Sequence, residues 1–147
     1  MTTSFSAGQR ILAANMPAPY VLSQAASADT TINSTTLTDL TGASITFTTR
    51  TTAATALVVG TFDMMVASTG TAIATGHCNV DGTDQTSQST GSETTSGQRG
   101  TTTQSWAVTL SGAGNHTIKL QGVLSGASGS MTFRGTHSKL SITVFDF

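Results

Sequence analysis

The sequence predicts an all-β protein: a single antiparallel β-sandwich of about eight strands, preceded by an N-terminal arm with a short helix. Three observations support this. Threonine is the commonest of the 147 residues, and its β-branched side chain suits a pleated surface. Charged residues make up only 9% of the chain, against about 25% in an average domain. From about residue 30 onward, apolar and polar residues alternate in short runs separated by glycine-rich and serine-rich turns.

The N-terminal stretch is the one segment with a helical pattern. Ser6 and Gln9 have the spacing of a capping box, and Pro17 ends the pattern. About ten residues are too few for a stable helix in water unless the apolar side docks on something. That apolar side consists of Ile11, Leu12 and Met16. We therefore assign residues 1–28 to an anchoring arm and residues 29–147 to the β-sandwich domain.

The predicted strands follow in order along the body of the chain. Ala56–Ser68 is apolar on both faces and is expected to be central, with Gly60 marking a bulge or bend. The polar stretch Asp81–Gly100 is either a pair of edge strands around a turn or a long exposed loop. The turn spacing is typical of a sandwich or barrel. The other predicted strands are Thr30–Leu40, Ala43–Thr49, Thr71–Val80, Thr102–Leu110, Asn115–Leu124, Gly129–Gly135 and Lys139–Phe147.

The last strand carries apolar residues on both of its faces. Leu140, Ile142 and Val144 alternate toward one face, whereas Phe145 and Phe147 point to the other. Two phenylalanines exposed side by side would form a patch that soluble monomers avoid. We interpret one face as the monomer core and the other as an oligomer interface. The alternative is that both rings lie beneath the N-terminal segment of the same chain.

Charge and segment composition exclude several classes of protein. The net charge is −1 and the six basic residues are scattered, so nucleic-acid binding is not expected. No run approaches the roughly 20 apolar residues that span a bilayer. The apolar stretch after Arg10 is too short for a signal peptide, and we expect the protein to be made and used without export.

No catalytic or metal-binding pattern emerges from the residues that carry chemistry. The histidines, His77, His116 and His137, lack metal-ligand spacing, and the single cysteine, Cys78, is expected to be a buried thiol. Asp81 and Asp84 could hold a calcium ion weakly, but turn formation explains the Asp-Gly pair more simply. We predict no cofactor, no metal and no enzymatic activity.

With these residues in view, the chain resembles the small structural proteins of tailed-bacteriophage virions. The segment "AGQRILAANM" resembles the N-terminal AG-x-R-hydrophobic-x-A segment of many phage head and minor-tail proteins. The stretches "TINSTTLTDL", "GNHTIKLQG" and "KLSITVFDF" resemble strands of their trimeric, tumour-necrosis-factor-like jelly-roll sandwiches. The resemblance implies a jelly roll, a homotrimer and a non-enzymatic virion component.

The function expected from these features is that of a capsid decoration protein, made in the host cytoplasm and bound to the capsid surface. Its partners would be the major capsid protein and other copies of itself, with no nucleic acid and no membrane. One alternative is a minor tail or tail-fibre-type adhesion protein whose Asp81–Gly100 stretch contacts a host-surface glycan. Another is a free lectin or signalling ligand. The expected capsid-binding residues are Arg10, Ile11, Leu12, Met16 and Tyr20; the expected oligomer interface is Phe145 and Phe147.

Overall fold

The computed structural model describes residues 18–68, 72–93, 95–125 and 129–147. Within them the protein is all-β, as predicted, and forms two antiparallel sheets. The predicted number of strands, about eight, is too low: these residues contain eleven, of which three are only two or three residues long. The strands are β1 Tyr20–Ala25, β2 Thr30–Ile32, β3 Thr38–Thr49, β4 Thr55–Val66, β5 Ala72–Val80, β6 Thr83–Asp84, β7 Ser89–Glu93, β8 Arg99–Thr109, β9 Gly114–Leu124, β10 Met131–Phe133 and β11 Lys139–Phe145.

The six-stranded sheet is built around β4, which confirms the prediction of a central strand there. β8 lies along one side of β4 over its whole length. β11 and then β10 lie along the other side. β1 and β2 complete the sheet beyond β11 and β10, respectively. Residues 20–25, which the sequence analysis placed in the arm, therefore form a strand of this sheet.

The five-stranded sheet has the order β3-β9-β5, with the short strands β6 and β7 both beside β5. The sequence analysis left two alternatives for the polar stretch 81–100, edge strands around a turn or a long exposed loop. The structure has short strands there, β6 and β7, which agrees with the first alternative. Its Asp-Gly pair makes a two-residue hairpin turn in which both residues have positive φ, 50° at Asp81 and 88° at Gly82. The predicted strand Thr30–Leu40 is divided between β2 and β3.

Aromatic rings fill the centre between the two sheets. Phe62 packs edge-on against both Trp106 and Phe133, with ring centroids 6.4 and 6.1 Å apart. A Cβ at Gly76 would lie 2.5 Å from the Phe62 ring, so this position has no room for a side chain. Gly60 also has no room for a side chain. It does not mark a bulge, because it pairs in register with Leu140 and Gln104. The one register shift of β3 occurs instead between Asp39 and Ser44.

Two further features complete the fold. Leu140, Ile142 and Val144 of β11 are fully buried, as predicted from their alternation. A short 3-10 helix, Gly135–His137, precedes this strand. The predicted helix between Ser6 and Met16 lies outside the described residues. In the part of the chain that the structure describes, no helix is long and apolar enough to cross a membrane.

Candidate self-association surface

The outward side of the six-stranded sheet carries three consecutive rows of uncharged side chains, which we call the uncharged face. The strand register aligns each row across neighbouring strands. Not one of these eleven positions carries a charge, although the sheet side faces solvent. The rows are Phe145–Thr55–Thr109, Val21–Thr143–Leu57–Ala107 and Ser23–Ser141–Val59–Ser105.

Large apolar side chains are exposed on and beside this face. Val21 is 67% exposed and Leu57 is 43% exposed, and they lie in the same row. Phe147, just beyond the end of β11, is 61% exposed. Its ring packs edge-on against Phe145, with centroids 6.0 Å apart. Exposed apolar groups gathered on one uncharged surface are typical of an interaction site.

Asp146 fixes the segment between these two phenylalanines. Its Oδ2 accepts a hydrogen bond from the backbone N–H of Arg50 at 2.8 Å. Its Oδ1 accepts from the backbone N–H of Thr51 at 2.9 Å and from its hydroxyl at 2.8 Å. Burial alone raises the pKa of Asp146, but these bonds and the Arg50 guanidinium together hold that pKa below its ordinary value. The hydrogen-bonded carboxylate of Asp146 therefore fixes the backbone between Phe145 and Phe147.

A cavity of about 170 Å³ opens on the uncharged face between β4 and β8. The outward side chains around it are Thr55 and Leu57 from β4, Ala107 and Thr109 from β8, and Phe145 from β11. The β8 side chains that line it, Ala107 and Thr109, are small, and the largest lining side chains are Leu57 and Phe145.

Along the described strands of this sheet, charged side chains begin beyond the third row, although Asp146 and the exposed Arg50 flank the aromatic pair at the near end. Lys139 lies in the fourth row and is exposed. Beyond it, the buried carboxylate of Asp63 accepts hydrogen bonds from Arg99, including one from Nε at 2.7 Å. Asp29 pairs with Arg134 at 3.1 Å. Each of these two aspartates has an arginine partner, so their charges are balanced locally.

The outward side of the five-stranded sheet differs, and we call it the hydrogen-bonded face. The Thr46 and Thr117 hydroxyls lie 2.9 Å apart, and the Thr48 hydroxyl donates to Asn115 Oδ1 at 2.6 Å. Asp39 accepts hydrogen bonds from Lys119 at 2.7 Å and Gln121 at 2.6 Å. Burial acts to raise the pKa of Asp39, but these two donors lower it overall. Most of the polar groups named here have partners within the chain, whereas Oε1 of Gln121 is buried without one.

Two histidines hold the Asp81–Asp84 turn of this sheet. His77 Nδ1 contacts Asp84 Oδ2 at 3.0 Å, and its Nε2 lies 3.0 Å from Thr75 Oγ1. His116 Nδ1 contacts Asp81 Oδ2 at 2.7 Å. Each of the two aspartates therefore pairs with a different histidine. Among the described residues, no group of three or more His, Cys, Asp or Glu side chains could hold a metal.

The two pairs differ in their hydrogen-bonding roles. His116 Nε2 lies 3.2 Å from the carbonyl oxygen of Gly112, which can only accept. The Thr49 hydroxyl lies at the same distance, 3.2 Å, from this nitrogen. Asp81 accepts a second hydrogen bond, from the backbone N–H of Thr117 at 2.7 Å, whereas both oxygens of Asp84 face His77 Nδ1, at 3.1 and 3.0 Å. Asp81 therefore ties the turn to β9 through two different donors.

The structure locates only some of the residues that the sequence analysis selected. Arg10, Ile11, Leu12 and Met16 lie outside the described residues. Tyr20 lies at the start of β1, where its hydroxyl donates to the carbonyl oxygen of Thr48 at 3.3 Å and joins the two sheets. Burial raises the pKa of Tyr20, and Asp146 adds to this rise.

Three features were missed at the sequence level: the uncharged rows, the cavity and the histidine–aspartate pairs. Cys78 is buried, as expected, and burial raises the pKa of its thiol to about 12. A thiol in such an environment is unreactive at neutral pH.

No protein-family model matches this sequence, and no curated protein matches it. Solved structures do resemble it in three dimensions. Eiger TNF from S. frugiperda aligns with a TM-score of 0.52 at 10% identity, over 86% of this chain and 92% of that one. A chain of infectious bursal virus-derived T=1 particles aligns with a TM-score of 0.54 at 16% identity, over 97% of this chain. Dimeric latent PorU from Porphyromonas gingivalis aligns with a TM-score of 0.51 at 11% identity, over 89% of this chain.

These similarities concern the fold. This chain spans 36% of the virus-particle chain and 13% of the PorU chain, so the match in each is to one part of a larger protein. Together with the sheet order, they show a jelly-roll β-sandwich of the kind present in a TNF ligand and in a virus particle. The predicted sandwich and the predicted jelly roll are confirmed at this level.

Proposed function

We propose that this protein is a non-enzymatic capsid decoration protein of a tailed bacteriophage, which binds the outer capsid surface as a homotrimer and stabilises the shell. The uncharged face is the observation that supports it most directly. Val21 and Leu57 are exposed within the three rows, which contain no charged residue, and Phe147 is exposed beside them. Such a surface favours burial against another protein surface that is equally uncharged.

In this proposal the uncharged faces of neighbouring copies meet, and Phe145 and Phe147 form part of the oligomer interface. Burying one phenylalanine side chain contributes about 1.5–3 kcal/mol, and threefold symmetry repeats each contact three times. The hydrogen bonds from Arg50 and Thr51 to Asp146 fix the segment between Phe145 and Phe147 in the free subunit. This reduces the conformational entropy lost on association.

The arm is the proposed link to the major capsid protein. Arg10, Ile11, Leu12 and Met16 are its anchors, and Tyr20 seats it against the sandwich through the hydrogen bond to Thr48. A trimer that carries three such arms can grip several capsid subunits at once, so binding gains from multivalency. Contacts across the joints between subunits would oppose the outward pressure of packaged DNA. Similarity of the fold to a chain of a virus particle supports this role.

Imaging of intact virions by electron cryomicroscopy, with quantification of protein copies per particle, tests the proposal. Trimeric density on the outer shell and hundreds of copies per particle are the expected result. Density confined to the tail, with only a few copies, would reject decoration and favour the adhesion alternative.

One shortened variant separates the two proposed surfaces. Removing residues 1–17 is expected to abolish capsid binding while a folded trimer persists, because the first strand of the sandwich begins at Tyr20. Co-sedimentation with capsids and light scattering measure the two properties. If the shortened protein still binds capsids, the arm is not the anchor.

A further inference from the structure

The cavity on the uncharged face is an open depression with room for one aromatic ring. Its volume is about 170 Å³, and an enclosed apolar cavity of about 150 Å³ accommodates a benzene molecule. Leu57, Ala107 and Phe145 are among the residues that line it. None of the described residues that line it is charged, so an uncharged aromatic group is the occupant that its chemistry fits.

The same chain presents such a group beside the cavity. Phe147 is 61% exposed and packs on one edge of Phe145, which itself lines the cavity. Phe147 does not line the cavity of its own chain. The ring and the cavity therefore lie on the same side of the molecule at neighbouring but separate positions.

We infer that Phe147 of one copy inserts into the cavity between β4 and β8 of the next copy. This inference rests on the proposed self-association and specifies its central contact. The ring of each copy and the cavity of its neighbour form a head-to-tail contact, because the two partner sites are different parts of the surface. Repetition of such a contact about a rotation axis closes a ring, in which every cavity is filled by a neighbour.

Blocking the cavity from within its own chain tests the contact. A107W places an indole in the cavity, and F147A removes the inserted ring; both side chains are exposed, so the fold is retained. Each variant is expected to weaken association at least tenfold, and up to about a hundredfold. T46W, on the exposed hydrogen-bonded face, is the matched control and is expected to associate like the unaltered protein. Sedimentation equilibrium measures association, and circular dichroism checks folding.

Cross-linking detects the contact directly. Full-length F147C and full-length T109C are co-expressed, so that a bond between positions 147 and 109 can form only between two chains. Because F147C also lacks the inserted ring, oxidation is carried out at a concentration at least about a hundredfold above that at which the unaltered protein associates. Mild oxidation is expected to give this disulfide: the two thiols together lose two protons, and two electrons pass to the added oxidant. Cys78 contributes no background, because it is buried and the pKa of its thiol is about 12. Peptide mapping identifies the linked positions.

The outcomes separate this inference from the proposed function. If L57D abolishes association but A107W and F147A leave it intact, the face self-associates and the inserted ring is wrong. A 147–147 cross-link without any 147–109 cross-link also overturns the head-to-tail contact. If the unaltered full-length chain is monomeric, the proposed self-association itself fails. Loss of association in A107W and F147A together with a 147–109 cross-link supports the inference.

Discussion

The two outward faces of the sandwich are both rich in threonine, yet they differ in what surrounds those threonines. On the hydrogen-bonded face, Thr46 pairs with Thr117 and Thr48 with Asn115, while charged side chains lie alongside. On the uncharged face, the threonines alternate with valine, leucine, alanine and phenylalanine. The threonine hydroxyls named on the first surface have hydrogen-bond partners within the chain, whereas the second surface keeps apolar area in water. Composition alone therefore does not identify a binding surface. The two faces are distinguished by whether their threonine hydroxyls have hydrogen-bond partners within the chain.

The largest expected effect comes from a charge placed at the centre of the uncharged face. L57D is expected to abolish self-association, with a loss of more than about a hundredfold in affinity, because carboxylates would be buried without partners in every subunit. T46D, at an exposed position of the hydrogen-bonded face, is the matched control and should leave association unchanged. Light scattering over a concentration series measures both. Equal loss of association in the two variants would remove the distinction between the faces.

An intermediate effect, on stability and not on association, is expected at the Asp81–Asp84 turn. D81N removes the charge that faces His116 and should lower the free energy of unfolding by about 1–3 kcal/mol. D84N should cost less, because Asp84 faces one donor, His77 Nδ1, whereas Asp81 accepts from both His116 and the backbone N–H of Thr117. Denaturant unfolding measures the two values, and light scattering should show unchanged association. A larger loss in D84N would contradict the greater role of the Asp81 contacts.

The smallest effect is a pH dependence at the aromatic pair. Because the pKa of Asp146 is depressed in the folded protein, its contribution to stability is present above the ordinary value of 3.8. It is lost as the pH falls through the folded pKa. D146N should therefore be less stable than the unaltered chain at neutral pH, with the difference shrinking as the pH falls below about 4.

D39N provides the companion measurement on the other face, where the pKa of Asp39 is also lowered. D39N should also be less stable than the unaltered chain at neutral pH, with a difference that shrinks as the pH falls, and its association should be unchanged. Unfolding curves across the acid range measure both variants. A difference between D146N and the unaltered chain that is constant with pH would contradict the assignment.

Local patterns predicted much of this fold. The alternation in β11 correctly separated Leu140, Ile142 and Val144 from the outward positions, because each side chain of a strand points opposite to its neighbours. The two-sided apolar pattern of β4 correctly identified the central strand. Gly60 was misinterpreted because its reason is non-local: a Cβ there would lie 2.9 Å from Leu120, a residue of the opposite sheet.

The candidate surface was less accessible from the sequence. Phe145 was visible in its own strand, but the row that aligns it with Thr55 and Thr109 depends on the pairing of three distant strands. The His116–Asp81 pair joins residues 35 positions apart, and no local signal marks it. His77–Asp84 was within reach, since the Asp-Gly hairpin sets Asn79 opposite Asp84 and brings that carboxylate near His77.

Trp106 gives the molecule an internal optical reporter. It is the chain's single tryptophan, it is buried, and its indole N–H donates to the carbonyl oxygen of Ser87 at 2.8 Å. Its fluorescence therefore senses whether the polar 81–100 segment stays attached to the core. The indole points inward, whereas the neighbouring Ala107 points outward to the uncharged face. Separation of subunits on dilution should therefore leave the tryptophan emission unchanged. Loosening of the 81–100 segment in denaturant should shift it.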